Sequence, residues 1–105
     1  MRQIKVMIIE NSDIMLKGIV FMLKNEPEIV ITNTVEKLKD ISEALKSNNH
    51  DVVILGPMIS ENYEEELEFA ISTNYPDTKL IKIEYEDDSV EIVGKIKNEA
   101  YKIAV

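Results

Sequence analysis

The side chains best suited to chemistry in this sequence follow its apolar runs, and they are few. Glu10 and Asn11 come directly after Val6–Ile9, and Glu84 follows Leu80–Ile83. Carboxylate and amide oxygens are the ligands that Mg²⁺ and Ca²⁺ prefer, but these cations usually take about six oxygens or more. Two carboxylates and one amide are too few, so we expect no metal site and interpret both acids as solvated residues at strand ends.

The other groups that commonly take part in catalysis give no stronger signal. His50 is the only histidine, lies in a polar loop and has no evident serine or cysteine partner, which is typical of a surface residue. The sequence has no cysteine, and it has no glycine-rich phosphate loop or zinc-binding spacing. The Gly56-Pro57 pair is typical of a turn that ends a strand. We therefore predict that the protein is not an enzyme and has no catalytic residue and no cofactor.

The charge balance restricts the kind of partner. The 105 residues include 20 acidic and 12 basic side chains, which gives a net charge of -8. A field of this sign repels the phosphates of nucleic acids and anionic lipid headgroups, so we expect no direct contact with nucleic acid and no membrane association. The length fits one domain over residues 1–105. The lack of cysteine and of a long apolar segment favours a cytoplasmic protein.

The candidate residues are positioned by apolar strands that alternate with amphipathic helices. Continuous apolar runs such as Val52–Leu55 are typical of strands buried on both faces of a parallel sheet. Ser12 or Asp13 is expected to cap the first helix, and Thr34 a second helix that includes Val35. The pattern predicts an α/β flavodoxin-like three-layer sandwich with a parallel five-stranded sheet of order 2-1-3-4-5, the final helix being missing. The predicted strands are Val6–Ile9, Ile29–Ile31, Val52–Leu55, Leu80–Ile83 and Tyr101–Val105.

Several short segments have a joint spacing that is specific although no single segment is. They are Ile8-Ile9-Glu10-Asn11, Lys17-Gly18-Ile19, Glu26-Pro27-Glu28-Ile29, Asp51-Val52-Val53-Ile54-Leu55, Tyr75-Pro76-Asp77-Thr78 and Glu99-Ala100. In this order they resemble the receiver domain of bacterial two-component response regulators, and most of all the receivers of transcription factors with a C-terminal helix-turn-helix. The resemblance covers the whole chain. It implies the same flavodoxin-like fold and a role in signal transduction and transcriptional regulation.

The resemblance also implies a phosphorylation site, and this chain departs from it at nearly every position. A receiver holds Mg²⁺ with two acids after its first strand and with the aspartate that accepts the phosphoryl group. The first two positions are Glu10 and Asn11 here, and the phosphoacceptor position is Gly56, which has no side chain. Glu84 stands at the position of the switch threonine or serine, and Ile103 at that of the switch aromatic residue. The resemblance therefore predicts a degenerate pseudo-receiver that functions without phosphorylation.

The first helix is apolar around most of its circumference, unlike a surface helix with one apolar stripe. In the receiver fold this helix lies between the second and fifth helices, and the fifth helix is missing from the predicted elements. We therefore expect an uncovered apolar surface, which is typical of an interaction site. Its partner is predicted to be a second copy of the chain, in a homodimer, or another docked protein. The predicted interaction surface consists of Ile14, Met15, Gly18, Tyr101, Ile103 and Val105.

The sequence leaves two alternatives open. Another acid, such as Glu10 or Glu84, could accept the phosphoryl group and make the chain a phosphorylatable receiver. The same fold also supports small enzymes and nucleotide-binding proteins, although this chain lacks a phosphate loop and an evident nucleophile.

Overall fold

The structure, a computed structural model, describes residues 3–47 and 49–102, and strands alternate with helices along them as predicted. The strands are β1 (Ile4–Ile9), β2 (Ile29–Val35), β3 (Val52–Leu55) and β4 (Lys79–Lys82). The helices are α1 (Asp13–Leu23), α2 (Ile41–Ser47), α3 (Glu61–Asn74) and α4 (Ser89–Ala100), with a 3-10 turn at Leu38–Asp40 before α2. None of the helices within the residues described is long and apolar enough to cross a membrane.

The strands form one parallel sheet in the order β2-β1-β3-β4. This is the predicted flavodoxin-like order for the first four strands. The two central strands pair from Val6 with Val52 to Ile9 with Leu55, and every residue of β3 is fully buried, as its continuous apolar run requires. The ends of β1 and β3 therefore lie side by side at the carboxyl edge of the sheet, where the strand order reverses and such folds form a crevice.

Helices cover both faces of the sheet and divide the core into two halves. Because side chains alternate along a strand, Val6 and Ile8 face one half whereas Met7 and Ile9 face the other. The first half is closed by α1 and α4, and the second by α2 and α3. The helix residues that close them are Leu16, Ile19, Leu23, Ile92 and Ile96 in the first half, and Ile41, Leu45, Leu67 and Ile71 in the second.

The prediction of a fifth strand at Tyr101–Val105 is wrong for the part of it that the structure describes. Helix α4 continues to Ala100, and Tyr101 and Lys102 follow it without joining the sheet; residues 103–105 lie outside the described residues. Helix α4 also packs on the face that carries α1. A parallel strand beside β4 reached from that face needs a left-handed crossover, which proteins almost never contain. Helix α4 thus occupies the place beside α1 that the resemblance assigns to a fifth helix.

The expectation that Thr34 caps a helix is also wrong, because β2 extends to Val35. Thr34 pairs with Ile8 near the end of β1, and this pairing outweighs the helical spacing of the local apolar residues. The second helix begins instead at Ile41, after the 3-10 turn.

Candidate functional site

Glu10 is the central residue of the carboxyl edge. It directly follows β1, and it has 0% solvent exposure, so its interpretation as a solvated acid is wrong. Each carboxylate oxygen accepts a hydrogen bond from a backbone N–H group: Oε1 from Met58 at 3.0 Å and Oε2 from Ser12 at 2.7 Å. Ser12 caps α1, its hydroxyl accepting from the Met15 N–H, and Met58 lies in the β3–α3 loop. The carboxylate therefore joins the two loops that flank the crevice.

Gly56 leaves the space into which this carboxylate extends. Its backbone N–H donates to the carbonyl of Ile9 at 2.9 Å. A Cβ atom built on Gly56 would overlap Oε1 of Glu10 and lie 2.7 Å from its Cδ and 2.8 Å from its Cβ. No glycine among residues 3–47 and 49–102 has a positive φ, so the requirement for glycine is one of space and not of backbone conformation. The Glu10 side chain therefore lies where a side chain at position 56 would begin, the position that the resemblance assigns to the phosphoacceptor.

Lys82 fixes the same loop from the other side. Its ammonium group donates hydrogen bonds to the backbone carbonyls of Gly56 and Ile59, both at 2.8 Å, and a charged donor strengthens such bonds. Because Lys82 is the last residue of β4, the β3–α3 loop is held by Glu10 from β1 and by Lys82 from β4. Sequence reasoning missed this role, and the available signal was a charged residue in an otherwise apolar buried run.

Glu84 and Asn11 take no part in this arrangement, and both are exposed. The loop after β4 is held instead by Asp87, whose Oδ2 accepts from the backbone N–H of Glu84 at 2.8 Å and from the ammonium group of Lys95 at 2.6 Å. The hydrogen bond from Lys95, followed by the one from the Glu84 N–H, lowers the pKa of Asp87. Glu84 is thus exposed, whereas the carboxylate of Glu10 is fully buried and both of its oxygens have backbone partners.

The residues at this edge do not fit Mg²⁺, which the receiver fold implies. Magnesium needs oxygen ligands that are free to coordinate it in near-octahedral geometry, whereas both oxygens of Glu10 accept from backbone donors. Asn11 has only a neutral oxygen to offer, and Gly56 has no side chain. In the part of the chain that the structure describes, no group of three or more acidic, histidine or cysteine side chains could hold a metal ion.

The portion of the predicted interaction surface on α1 is partly covered. The expectation that α1 has a bare side next to a missing helix is wrong, because α4 packs there. Ile14, in the first turn of α1, is 83% exposed, whereas Met15 and Gly18 are partly buried. That Ile14 contacts a partner stays a prediction.

Tyr101 lies at the opposite end of this face. Its hydroxyl donates to Oε2 of Glu28 at 2.8 Å, and Lys97 of α4 forms an ion pair with the same carboxylate at 3.5 Å. The hydrogen bond from Tyr101 is the main cause that lowers the pKa of Glu28. The structure therefore does not bring Tyr101 together with the first turn of α1. The predicted contacts of Ile103 and Val105, and the switch-aromatic position at Ile103, lie outside the described residues.

His50 is buried, with 7% exposure, although its polar loop predicts a surface residue. Its Nδ1 lies 2.8 Å from the hydroxyl of Thr32, and its Nε2 lies 3.1 Å from the carbonyl of Ala44 in α2. The register between β1 and β2 shifts at Thr32, which is a β-bulge. The imidazole ties this bulge to α2, and a bulge leaves no clear trace in the apolar pattern.

Comparison with known proteins identifies solved structures of the same fold. No family model matches the chain, and no curated protein matches it. The receiver domain of RcsB from Salmonella enterica serovar Typhimurium, determined with the phosphomimetic BeF3-, superposes with a TM-score of 0.69 at 18% identity, over 91% of this chain and 73% of that chain. A longer RcsB chain, from work on its conformational dynamism for DNA interaction, gives 0.69 at 16% identity, over 93% of this chain and 50% of that chain.

A third match comes from the complex of the phosphorylated P1 domain of CheA3 with CheY6 from R. sphaeroides. It has a TM-score of 0.66 at 11% identity and covers 94% of this chain and 98% of that chain. The chain therefore has the receiver fold of response regulators, as the sequence predicts. It spans half the length of the longer RcsB chain.

Proposed function

We propose that this chain is a pseudo-receiver, a receiver-fold module of signal transduction that functions without phosphorylation and is not an enzyme. One observation carries the proposal: the carboxylate of Glu10 fills the space that a side chain at residue 56 would need. The phosphoacceptor is not merely absent, because its volume is taken by a residue that is itself hydrogen-bonded to both flanking loops. The side chain in the cleft thus connects the two loops and leaves no space for a phosphorylated residue.

The surroundings of the cleft support the same proposal. A phosphoryl group needs neutralisation by a cation or a metal. Lys82, whose ammonium group contacts the loop after Gly56, already donates to two backbone carbonyls. Glu10 as an alternative acceptor is fully buried, and one of its oxygens would have to release the backbone hydrogen bond that it accepts. Glu84 is exposed and has no metal ligand cluster beside it among the described residues.

The output we propose is protein contact. The CheA3–CheY6 complex is named as an association of two proteins, and the RcsB work concerns a response regulator that interacts with DNA. By analogy, this chain would regulate transcription through self-association or a docked protein in the cytoplasm, without touching nucleic acid itself. Its net charge of -8 supports the last point. Sedimentation analysis of the protein with Ile14→Glu tests a homodimer: the wild type is expected to dimerise and the variant not, and a monomeric wild type contradicts this part.

The decisive experiment exposes the protein to beryllofluoride with Mg²⁺, and separately to acetyl phosphate, with the RcsB receiver domain as positive control. We expect no shift of the amide resonances of Gly56 and Ile59 and no gain of a phosphoryl mass, while the control responds. An adduct that disappears in Glu10→Gln or in Glu84→Gln would contradict the proposal and identify an unusual acceptor acid.

A further inference from the structure

A groove of about 560 Å³ runs between α2 and α3, on the face of the sheet away from α1 and α4. The α2 wall is formed by Leu38, Ile41 and Leu45, and the α3 wall by Leu67 and Ala70. Ile41, Leu45 and Leu67 are already buried and form the floor of the groove. Leu38 and Ala70 are partly exposed, and they offer apolar surface that an occupant can cover.

Aromatic residues of the α3 wall stand at the two ends of the groove. Tyr63 lies near the start of α3 and Tyr75 just after its end, and both are partly buried. Burial, and to a smaller extent the charge of Glu66, raises the pKa of Tyr63. Tyrosines of this kind combine apolar area with a hydroxyl and are common in binding surfaces.

The rims of the groove have opposite charge. Lys39 and Lys46 line the α2 side, and Glu66 lines the α3 side. All three are exposed, and within residues 3–47 and 49–102 none of them forms an ion pair. The rest of α3 adds acidic residues and no basic one. An occupant therefore meets a cationic rim on one side and an anionic rim on the other.

Helical walls also restrict the backbone of the occupant. The N–H and C=O groups along α2 and α3 are used within the helices, so the walls have few backbone partners to offer an extended peptide. A helix satisfies its own backbone groups and presents only side chains. The groove therefore favours a helix over a strand.

We propose that the α2–α3 groove binds an amphipathic helix of a partner protein, whose apolar stripe is flanked by acidic residues on one side and basic residues on the other. Affinity comes from contact with the partly exposed residues Leu38, Ala70, Tyr63 and Tyr75. The two charged rims set the direction in which the helix lies. Reversing an amphipathic helix exchanges its flanks, so only one direction pairs acids with Lys39 and Lys46 and bases with Glu66. This site does not depend on the state of the cleft at Gly56.

Two designed helical peptides of equal composition test the proposal. Both have leucines at i, i+3, i+4 and i+7, and the acidic and basic flanks are exchanged between them. Each has a nitroxide at its N-terminus, which broadens nearby amide resonances of the isotope-labelled protein. Both peptides are expected to bind the groove in opposite directions, so that one broadens the resonances at the Tyr63 end and the other those at the Tyr75 end.

Variants of the intact chain separate the two parts of the proposal. Ala70→Arg fills the groove and should weaken both peptides at least about tenfold, while circular dichroism confirms the fold. Exchanging all three rim charges, with Lys39→Glu, Lys46→Glu and Glu66→Lys, alters only exposed residues and should reverse the direction of each peptide. The proposal is overturned if neither peptide shifts groove resonances at about 1 mM, if both bind elsewhere, or if the charge exchange leaves their direction unchanged.

Discussion

Replacing Gly56 by alanine tests directly whether the Glu10 carboxylate fills the acceptor cleft. The added Cβ would overlap Oε1 of Glu10 and approach its Cδ to 2.7 Å. If the carboxylate stays, the overpacking costs about 1–3 kcal/mol. If it moves away, the N–H groups of Met58 and Ser12 lose their partner, at about 1–3 kcal/mol for each buried group left unsatisfied. Because the protein adopts whichever arrangement costs less, we expect a loss of about 1–3 kcal/mol in the free energy of unfolding.

For a chain of this length such a loss lowers the melting temperature by roughly 4–15 °C, which thermal unfolding followed by far-UV circular dichroism measures easily. Gly18→Ala and Gly94→Ala are matched controls, because a Cβ at either helical position meets no atom within 4 Å. Both controls should keep or raise the stability, by up to about 1 kcal/mol. A urea titration gives the same comparison at constant temperature.

The second part of this test removes the Glu10 side chain. In a Glu10→Gly background, none of the three close atoms of Glu10 remains, so Gly56→Ala should cost almost nothing there. Two results would refute the reasoning. Unfolding of Gly56→Ala at the wild-type temperature would mean that the space is open. An equal cost in both backgrounds would assign the clash to another group.

Three other measurements follow from single contacts. Lys95→Met removes the main cause that lowers the pKa of Asp87. The wild type should therefore be more stable than this variant above the ordinary pKa of 3.8, and the difference should decline as the pH falls from 3.8 through the lower pKa of the folded protein. Acid titrations of both proteins in urea check this. Lys82→Met leaves two carbonyls of the β3–α3 loop without their charged donor, and hydrogen exchange at the loop amides should accelerate while β1 stays protected. His50→Phe keeps an aromatic ring but loses both hydrogen bonds and should cost about 1–3 kcal/mol. Its cost should add less than fully to that of Thr32→Val, and a double-mutant cycle in urea measures this coupling.

The position of the crevice could be predicted from the sequence because the ends of the strands are marked by short apolar runs. The apolar runs before Glu10 and Gly56 predict two buried strands, and parallel pairing brings their carboxyl ends together. The fit between the two residues could not be read in the same way. It depends on the length of a glutamate side chain and on an empty volume 46 positions further along the chain, and neither property appears in hydrophobic periodicity.

The errors at the two later elements have a common physical origin. Thr34 follows a helical spacing locally but is held in β2 by its pairing with Ile8, so a long-range contact overrides a short-range preference. Tyr101 begins an alternating apolar segment, yet the face on which α4 packs decides whether a strand can follow. That choice of face is made by the contacts of Ile92 and Ile96 with the sheet and α1, which no local pattern specifies.

The docking of α4 beside α1 has a consequence for the order in which the chain folds. The bond between Tyr101 and Glu28 joins positions 73 residues apart, and Lys97 adds ion pairs to the same turn. Contacts between positions so far apart in sequence close large loops. The chain loses conformational entropy before these contacts stabilise it, which slows folding. We expect α4 to be the last element to consolidate and the first to open in native-state exchange. The transient species would expose Leu16 and Ile19, which makes this step the point at which newly made protein is most vulnerable to aggregation and to proteases.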